Sequence, residues 1–127
     1  MRNSYGLDLR RAEESGLMDP CRERGIAFVA YFAVCGLRRE AAAGQEHDAR
    51  VRRVARAHGA TPAQVRLAWT LRRGPHVPAI FGTANPAHLT QNLAAGALRL
   101  TREEPAALDG PGQGAAWAAA GCGAAAA

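Results

Sequence analysis

The sequence predicts an α/β fold built on a short parallel sheet. Three observations carry that expectation. The run "GIAFVAYFAV" (25–34) is apolar without alternating, as a strand covered by helices on both faces should be. Thr61-Pro62 and Asn85-Pro86 carry the start signals of helices. Strand-like and helix-like segments also follow one another along the chain, which is the order of right-handed βαβ units.

Taken in order, "MRNSY" (1–5) reads as the end of a strand. Residues 13–24, "EESGLMDPCRER", have helical composition and are closed by Gly25. Pro20 interrupts them. A proline inside a helix costs about 3 kcal/mol, so a kink or a late start is expected. After the strand at 25–34 comes a polar loop, "GLRREAAAGQE" (36–46). "DARVRRVARAH" (48–58) is an Arg-rich amphipathic helix with Val51, Val54 and Ala55 on one side, stopped by Gly59.

Thr61, Pro62 and Gln64 then form a capping box with proline at the first helical position. Val65, Ala68 and Trp69 line one face of that helix, Leu67 and Leu71 widen it, and Gly74-Pro75 ends it. "HVPAI" (76–80) is a short strand, with Pro78 tolerable only where its missing donor does no harm. In the helix opened by Asn85 and Pro86, the residues Leu89, Leu93, Ala94 and Ala97 recur at helical spacing. Thr101 and Glu104 form a further capping box over a short helix that Gly110-Pro111 closes. The remainder, 110–127, is low in complexity. It has little large apolar surface to offset the entropy of ordering and reads as a disordered tail.

The totals narrow the function classes. The chain has 127 residues, room for one small domain whose core is thin because Ala supplies much of the apolar fraction. No apolar run is long enough to span a bilayer, and "MRNSYGLDLRR" lacks the apolar centre of a secretory signal. A soluble, cytoplasmic protein is the default expectation. The net charge is +5, and all 16 basic residues are Arg. The pairs Arg10-Arg11, Arg38-Arg39, Arg52-Arg53 and Arg72-Arg73 fall in separate segments without interleaved aromatics. They read as solvated helix faces rather than as a nucleic-acid surface. Cys21, Cys35 and Cys122 are too few and too scattered for a disulfide framework, and His47, His58, His76 and His88 lack metal-ligand spacing.

The stretch "HVPAIFGTANPAHLTQN" (76–92) holds the strongest functional signal. A strand, a glycine turn and a helix N-terminus create an anion site, because the first N–H groups of a helix lack intrahelical partners and carry the positive end of the macrodipole. Gly82 permits a close turn, Thr83 and Asn85 add side-chain donors, and His88 and Asn92 follow at one-turn intervals. From spacing alone, an ordinary strand-to-helix connection with good caps is the favoured reading over a phosphate pocket.

The blocks "GIAFVAYFAVCG", "HGATPAQVRLAWTLRR" and "VPAIFGTANPAHLTQNLAAGALRLTREEPAALD" resemble, in this order, the C-terminal part of the aldo/keto reductases. The likeness runs from about Asn3 to Asp109. It implies a partial (β/α)8 TIM barrel, roughly the last three βα units, with residues 1–109 as an NADP-dependent oxidoreductase segment and 110–127 as the tail. It implies NADP(H) as cofactor, bound across the C-terminal ends of the strands. By the same resemblance Tyr31 stacks on the nicotinamide, and Phe32, Val34 and Gly36 pass the pyrophosphate. Gly82, Thr83 and Asn85 surround the adenosine 2′-phosphate. His88 takes the place of an Arg at that phosphate, and Gln91 and Asn92 match the pair at the adenine amino group. The sequence departs from the pattern at Arg2, Phe32, Ala33, Phe81 and Gln91.

The family's Tyr, Lys, Asp and His for proton transfer belong to the first half of the barrel. Here Lys is absent altogether, and Tyr5 lies at a strand end with no evident partner. No catalytic residue is therefore assigned, since proton transfer needs a positioned acid of tuned pKa. A sheet cut from a barrel would also have open edges. Two outcomes are expected: a truncated or miscalled gene product of marginal stability, or a half-barrel interaction module whose edges a complementary barrel fragment or a second copy of the chain covers. The expected partners are thus the dinucleotide and such a polypeptide, with neither nucleic acid nor membrane.

Overall fold

The structure is a computed structural model that describes residues 1–31, 33 and 45–110, with the backbone alone over 45–48. Three parallel strands, β1 (Arg2–Ser4), β2 (Val29–Tyr31) and β3 (Ala79–Ile80), form one sheet in chain order. Asn3 pairs with Ala30, and Ala30 with Ala79. β2 is thus far shorter than the apolar run 25–34, and β3 is shorter than 76–80. At the N-terminal ends of the β2–β3 pairing, one proline accounts for the late start. Phe28 donates to the His76 carbonyl at 2.7 Å, but a parallel ladder would return a bond from the N–H of residue 78. Pro78 has no N–H to return, so regular pairing starts at Ala79.

The helix expected over 13–24 is two short helices, α1 (Arg11–Glu14) and α2 (Met18–Glu23). Gly16, at φ +70, turns the chain between them in a conformation that L side chains rarely adopt. Pro20 falls in the first turn of α2, where its absent N–H would have no intrahelical acceptor, so it starts a helix rather than kinking one. α3 (Gln45–Ala57) begins inside the segment read as a loop. Most of that loop, and the tail from residue 111, lie outside the described residues.

α4 (Pro62–Leu71) starts as expected. Gln64 N–H donates to Thr61 Oγ1 at 3.2 Å, and Thr61 N–H donates to Gln64 Oε1 at 2.8 Å. α5 (Pro86–Ala94) is capped by Asn85 and runs into a 3-10 turn at Ala95–Ala97. α6 (Glu104–Asp109) begins later than the Thr101 box suggested. The Glu104 carboxylate does accept the Thr101 N–H at 2.7 Å, but the intervening residues are not helical and Glu103 flanks the helix without a side-chain cap.

The helices pack on one face of the sheet. Tyr5, Phe28, Ala30, Val51, Val65, Trp69 and Leu108 are buried there. At roughly 25 cal/mol per Å² of apolar surface, this cluster supplies the main favourable term for the fold. Tyr31 and Ile80, of opposite strand parity to Ala30, are exposed on the other face. A second cluster joins Leu67 of α4, Ala33 and Ala95, with Phe81 packed against it.

Two expectations fail in ways that matter. The apolar stripe of α5 points outward: Leu89 is 45% exposed, Leu93 is 65% exposed, and Asn92 is the buried residue of that helix. The arginines are also not all solvated, since Arg10 and Arg73 are buried.

Candidate functional site

The C-terminal ends of the three strands converge on one edge of the sheet. Tyr31 ends β2 and is in register with Ile80, which ends β3. One residue later Phe81 drops into the second apolar cluster and fixes the start of the turn. An aromatic at this position therefore serves as a foothold that a proline could not fill in the same way.

The turn then rises into solvent. Gly82, Thr83, Asn85, His88 and Gln91 are all exposed. Thr83 Oγ1 accepts the Asn85 N–H at 3.1 Å, and Asn85 Oδ1 accepts the Ala87 N–H at 2.9 Å. Pro86 at the first position has no N–H. The His88 N–H is left in the first turn, where helical geometry offers no acceptor. Gly82 is not required by backbone conformation, and among the described residues a Cβ there would meet nothing within 4 Å. The space over the turn is therefore open to a ligand. α5 is held in place from behind, because Gln64 Nε2 donates to the Gln91 carbonyl at 2.8 Å. The α4 capping box thus also orients the α5 turn.

The arrangement brings together Gly82, Thr83, Asn85, His88 and Gln91, and sets Tyr31 at the same end of the sheet. Asn92 differs from that exposed set in being buried. Phe32, Val34 and Gly36 lie outside the described residues. The chemistry such a turn offers is to an anion, with the His88 N–H, the Thr83 hydroxyl and the macrodipole as the attracting elements. Among the described residues no group of three or more His, Cys, Asp or Glu could hold a metal ion, and no helix is long and apolar enough to cross a membrane.

A buried polar cluster lies on the helix side of the same strand ends. Tyr5, expected to have no partner, donates its hydroxyl to Glu13 Oε1. Glu13 also pairs with Arg10 at 2.8 Å and with Arg73 at 3.0 Å. Arg73 reaches Asp109 at 3.2 Å and stacks over Trp69, 3.7 Å from the ring centroid. Asp109 accepts the Trp69 indole N–H at 2.9 Å. Burial pushes the Tyr5 phenol well above its ordinary value, and the Glu13 carboxylate adds to that. Burial likewise lowers the Arg73 guanidinium, against the pull of Tyr5, Glu13 and Asp109. No spacing signal links these residues, because α1, the end of α4 and α6 supply them from distant parts of the chain.

Comparison with known proteins follows the same outline. The model of the "Aldo/keto reductase family" matches residues 2–111. Pyridoxine 4-dehydrogenase of Escherichia coli (strain K12) is 36% identical over 110 residues, covering 87% of this chain and 36% of that protein. An aldo-keto reductase from Klebsiella pneumoniae, crystallised with NADPH, superposes with a TM-score of 0.73 at 32% identity, over 85% of this chain and 37% of its own. A thermostable aldo-keto reductase in complex with the inhibitor epalrestat gives a TM-score of 0.75 at 32% identity, over 85% of this chain and 38% of its own. The chain thus spans little more than a third of the length of the relatives it matches. With a parallel sheet, a capped turn at its C-terminal edge and a family match over nearly all the described residues, the chain belongs to the aldo/keto reductase family.

Proposed function

We propose that this chain is the NADP(H)-holding segment of an aldo/keto reductase-type oxidoreductase, part of a (β/α)8 barrel with residues 1–109 as its working unit. One observation carries the reading: the exposed turn of Gly82, Thr83 and Asn85 at the start of α5, at the sheet edge where Tyr31 also ends. The Thr83 hydroxyl and the His88 N–H would hold the 2′-phosphate, with the His88 ring beside them and Gln91 toward the adenine. Tyr31 would give the nicotinamide a flat face to lie on. NADPH, when bound, supplies hydride to a carbonyl. Residues 1–127 include no Lys to assist a proton donor, and Tyr5 is committed to Glu13 inside the fold. By itself the chain would therefore bind the dinucleotide and reduce no aldehyde.

The test is a fluorescence titration of the purified chain with NADPH and NADH. Tighter binding of NADPH than of NADH supports the reading, and equal affinities would refute the 2′-phosphate assignment. Turnover of any aldehyde by the chain alone would refute the absence of catalysis.

Exposed Ile80, Leu89 and Leu93 favour a second reading, a half-barrel that docks on another polypeptide. Among the described residues no strand pairs outside β1 or β3, and these apolar groups belong to the βα unit at the β3 edge. A complementary segment with its own parallel strands, or a second copy, would cover them. Light scattering after size exclusion, with and without a separately expressed N-terminal half of a family member, separates these outcomes from a lone monomer.

A further inference from the structure

Tyr5 sits where the buried polar cluster meets the strand ends. Its ring is fully buried, edge-on to Phe28 with centroids 5.7 Å apart and tilted against Trp69 at 6.0 Å. Its hydroxyl is fixed by Glu13, which Arg10 and Arg73 hold in turn. Its backbone N–H donates to the Tyr31 carbonyl at 3.0 Å, the last bond between the ends of β1 and β2. The side chain of Tyr5 therefore pins the peptide that in turn pins Tyr31. Immediately beyond, Gly6 and Leu9 bond reciprocally and the chain turns away into α1. Among the described residues, β1–β2 pairing ends with this bond.

We propose that Tyr5 is a positioning residue: clamped by Glu13 and Arg73, it sets the plane of Tyr31 against which the nicotinamide half of the dinucleotide lies. This rests on the reading of Tyr31 given above. The clamp is built from groups that cannot shift independently. Tyr5, Glu13, Arg73 and Asp109 are tied in series, so Glu13 cannot swing away without leaving a buried guanidinium less well compensated. Removing the Tyr5 hydroxyl keeps the ring packing and deletes only the tether. The two halves of the cofactor should then respond differently, because the 82–91 turn is anchored through Gln64 and Phe81 instead.

The experiment compares the full chain with its Tyr5→Phe variant, using NADPH and adenosine 2′,5′-bisphosphate as probes. A buried hydrogen bond to a charged group corresponds to a change of about tenfold, so the variant should weaken NADPH binding by up to about tenfold. Adenosine 2′,5′-bisphosphate, which has no nicotinamide, should bind both proteins alike. Tyr31→Ala should produce a similar selective loss, and the double variant should lose less than the sum of the two. Equal weakening of both probes, or no change in NADPH affinity, would overturn the proposal. Amide hydrogen exchange gives a readout free of cofactor. In Tyr5→Phe, and in Glu13→Gln as a second variant, the amide at position 5 should exchange faster while those of Val65 and Trp69 in α4 keep their protection. Uniform loss of protection, or none at position 5, would overturn the clamp even if the wild-type chain bound neither probe. Failure of both probes with wild-type protein would instead sink the cofactor reading itself.

Discussion

Replacing Asp109 by Asn should be the most damaging conservative change among the described charged residues. The carboxylate is 4% exposed and receives three donors: Trp69 Nε1 at 2.9 Å, Arg73 Nη2 at 3.2 Å and Arg10 Nη1 at 3.3 Å. The two guanidiniums are themselves 2% and 7% exposed, so water compensates neither. With Glu13, the cluster balances two positive charges against two negative ones. Asn keeps the shape and one acceptor for the indole, but the balance becomes two against one. Removing one partner of a buried pair costs about 3–5 kcal/mol. Glu13 and the retained acceptor put this case at the lower end, about 3 kcal/mol, against a total stability of about 5–15 kcal/mol for an ordinary domain. Urea unfolding followed by Trp69 fluorescence, in a Trp117→Phe background, measures the loss. Asp8→Asn is the control: its pair with Arg66 at 2.7 Å is more exposed, and such pairs contribute up to about 1 kcal/mol. If Asp109→Asn cost no more than Asp8→Asn, the buried network would not be holding the helices together and the reasoning would fail.

Three further outcomes follow from the same structure. Thr61→Ala should lower stability by about 1 kcal/mol, read as a shift in the urea midpoint, because it opens a reciprocal capping box. Gly59→Ala should cost about 1–2 kcal/mol through backbone strain, since φ is +59 and a Cβ would meet nothing within 4 Å among the described residues. The third concerns pH. Burial pushes the Glu104 carboxyl up, but the hydrogen bonds from His58 and from the Thr101 N–H outweigh it and hold the group below the usual carboxylate value. A depressed folded-state value means stability that is present above the unfolded carboxylate pKa and is lost as pH falls through the folded one. Acid unfolding should therefore become shallower in Glu104→Gln, and an unchanged profile below about pH 4.5 would contradict the assignment.

The starts of α4 and α5 were legible because capping is local chemistry. Thr61, Pro62 and Gln64, and again Asn85 and Pro86, satisfy orphan N–H groups within one turn, and no distant partner can alter that. The α5 turn was legible for the same reason. Strand lengths were not, because pairing depends on a neighbour: Pro78 limits β2 from across the sheet. The outward stripe of Leu89 and Leu93 escaped the reading because periodicity shows that a helix has an apolar side and not what covers it. The buried arginines escaped it because Arg73 finds Glu13 and Asp109 only through the fold. A charge pair of that separation leaves no pattern in the sequence.

The strands sit side by side in the order in which the ribosome makes them. β1 and β2 can therefore zip together while α3 and α4 are still being synthesised. The far side of β2 then stays bare until Ala79 and Ile80 emerge from the exit tunnel. Parallel pairing across so long a crossover is slow, and a nascent chain with an unclosed strand is prone to capture by its neighbours.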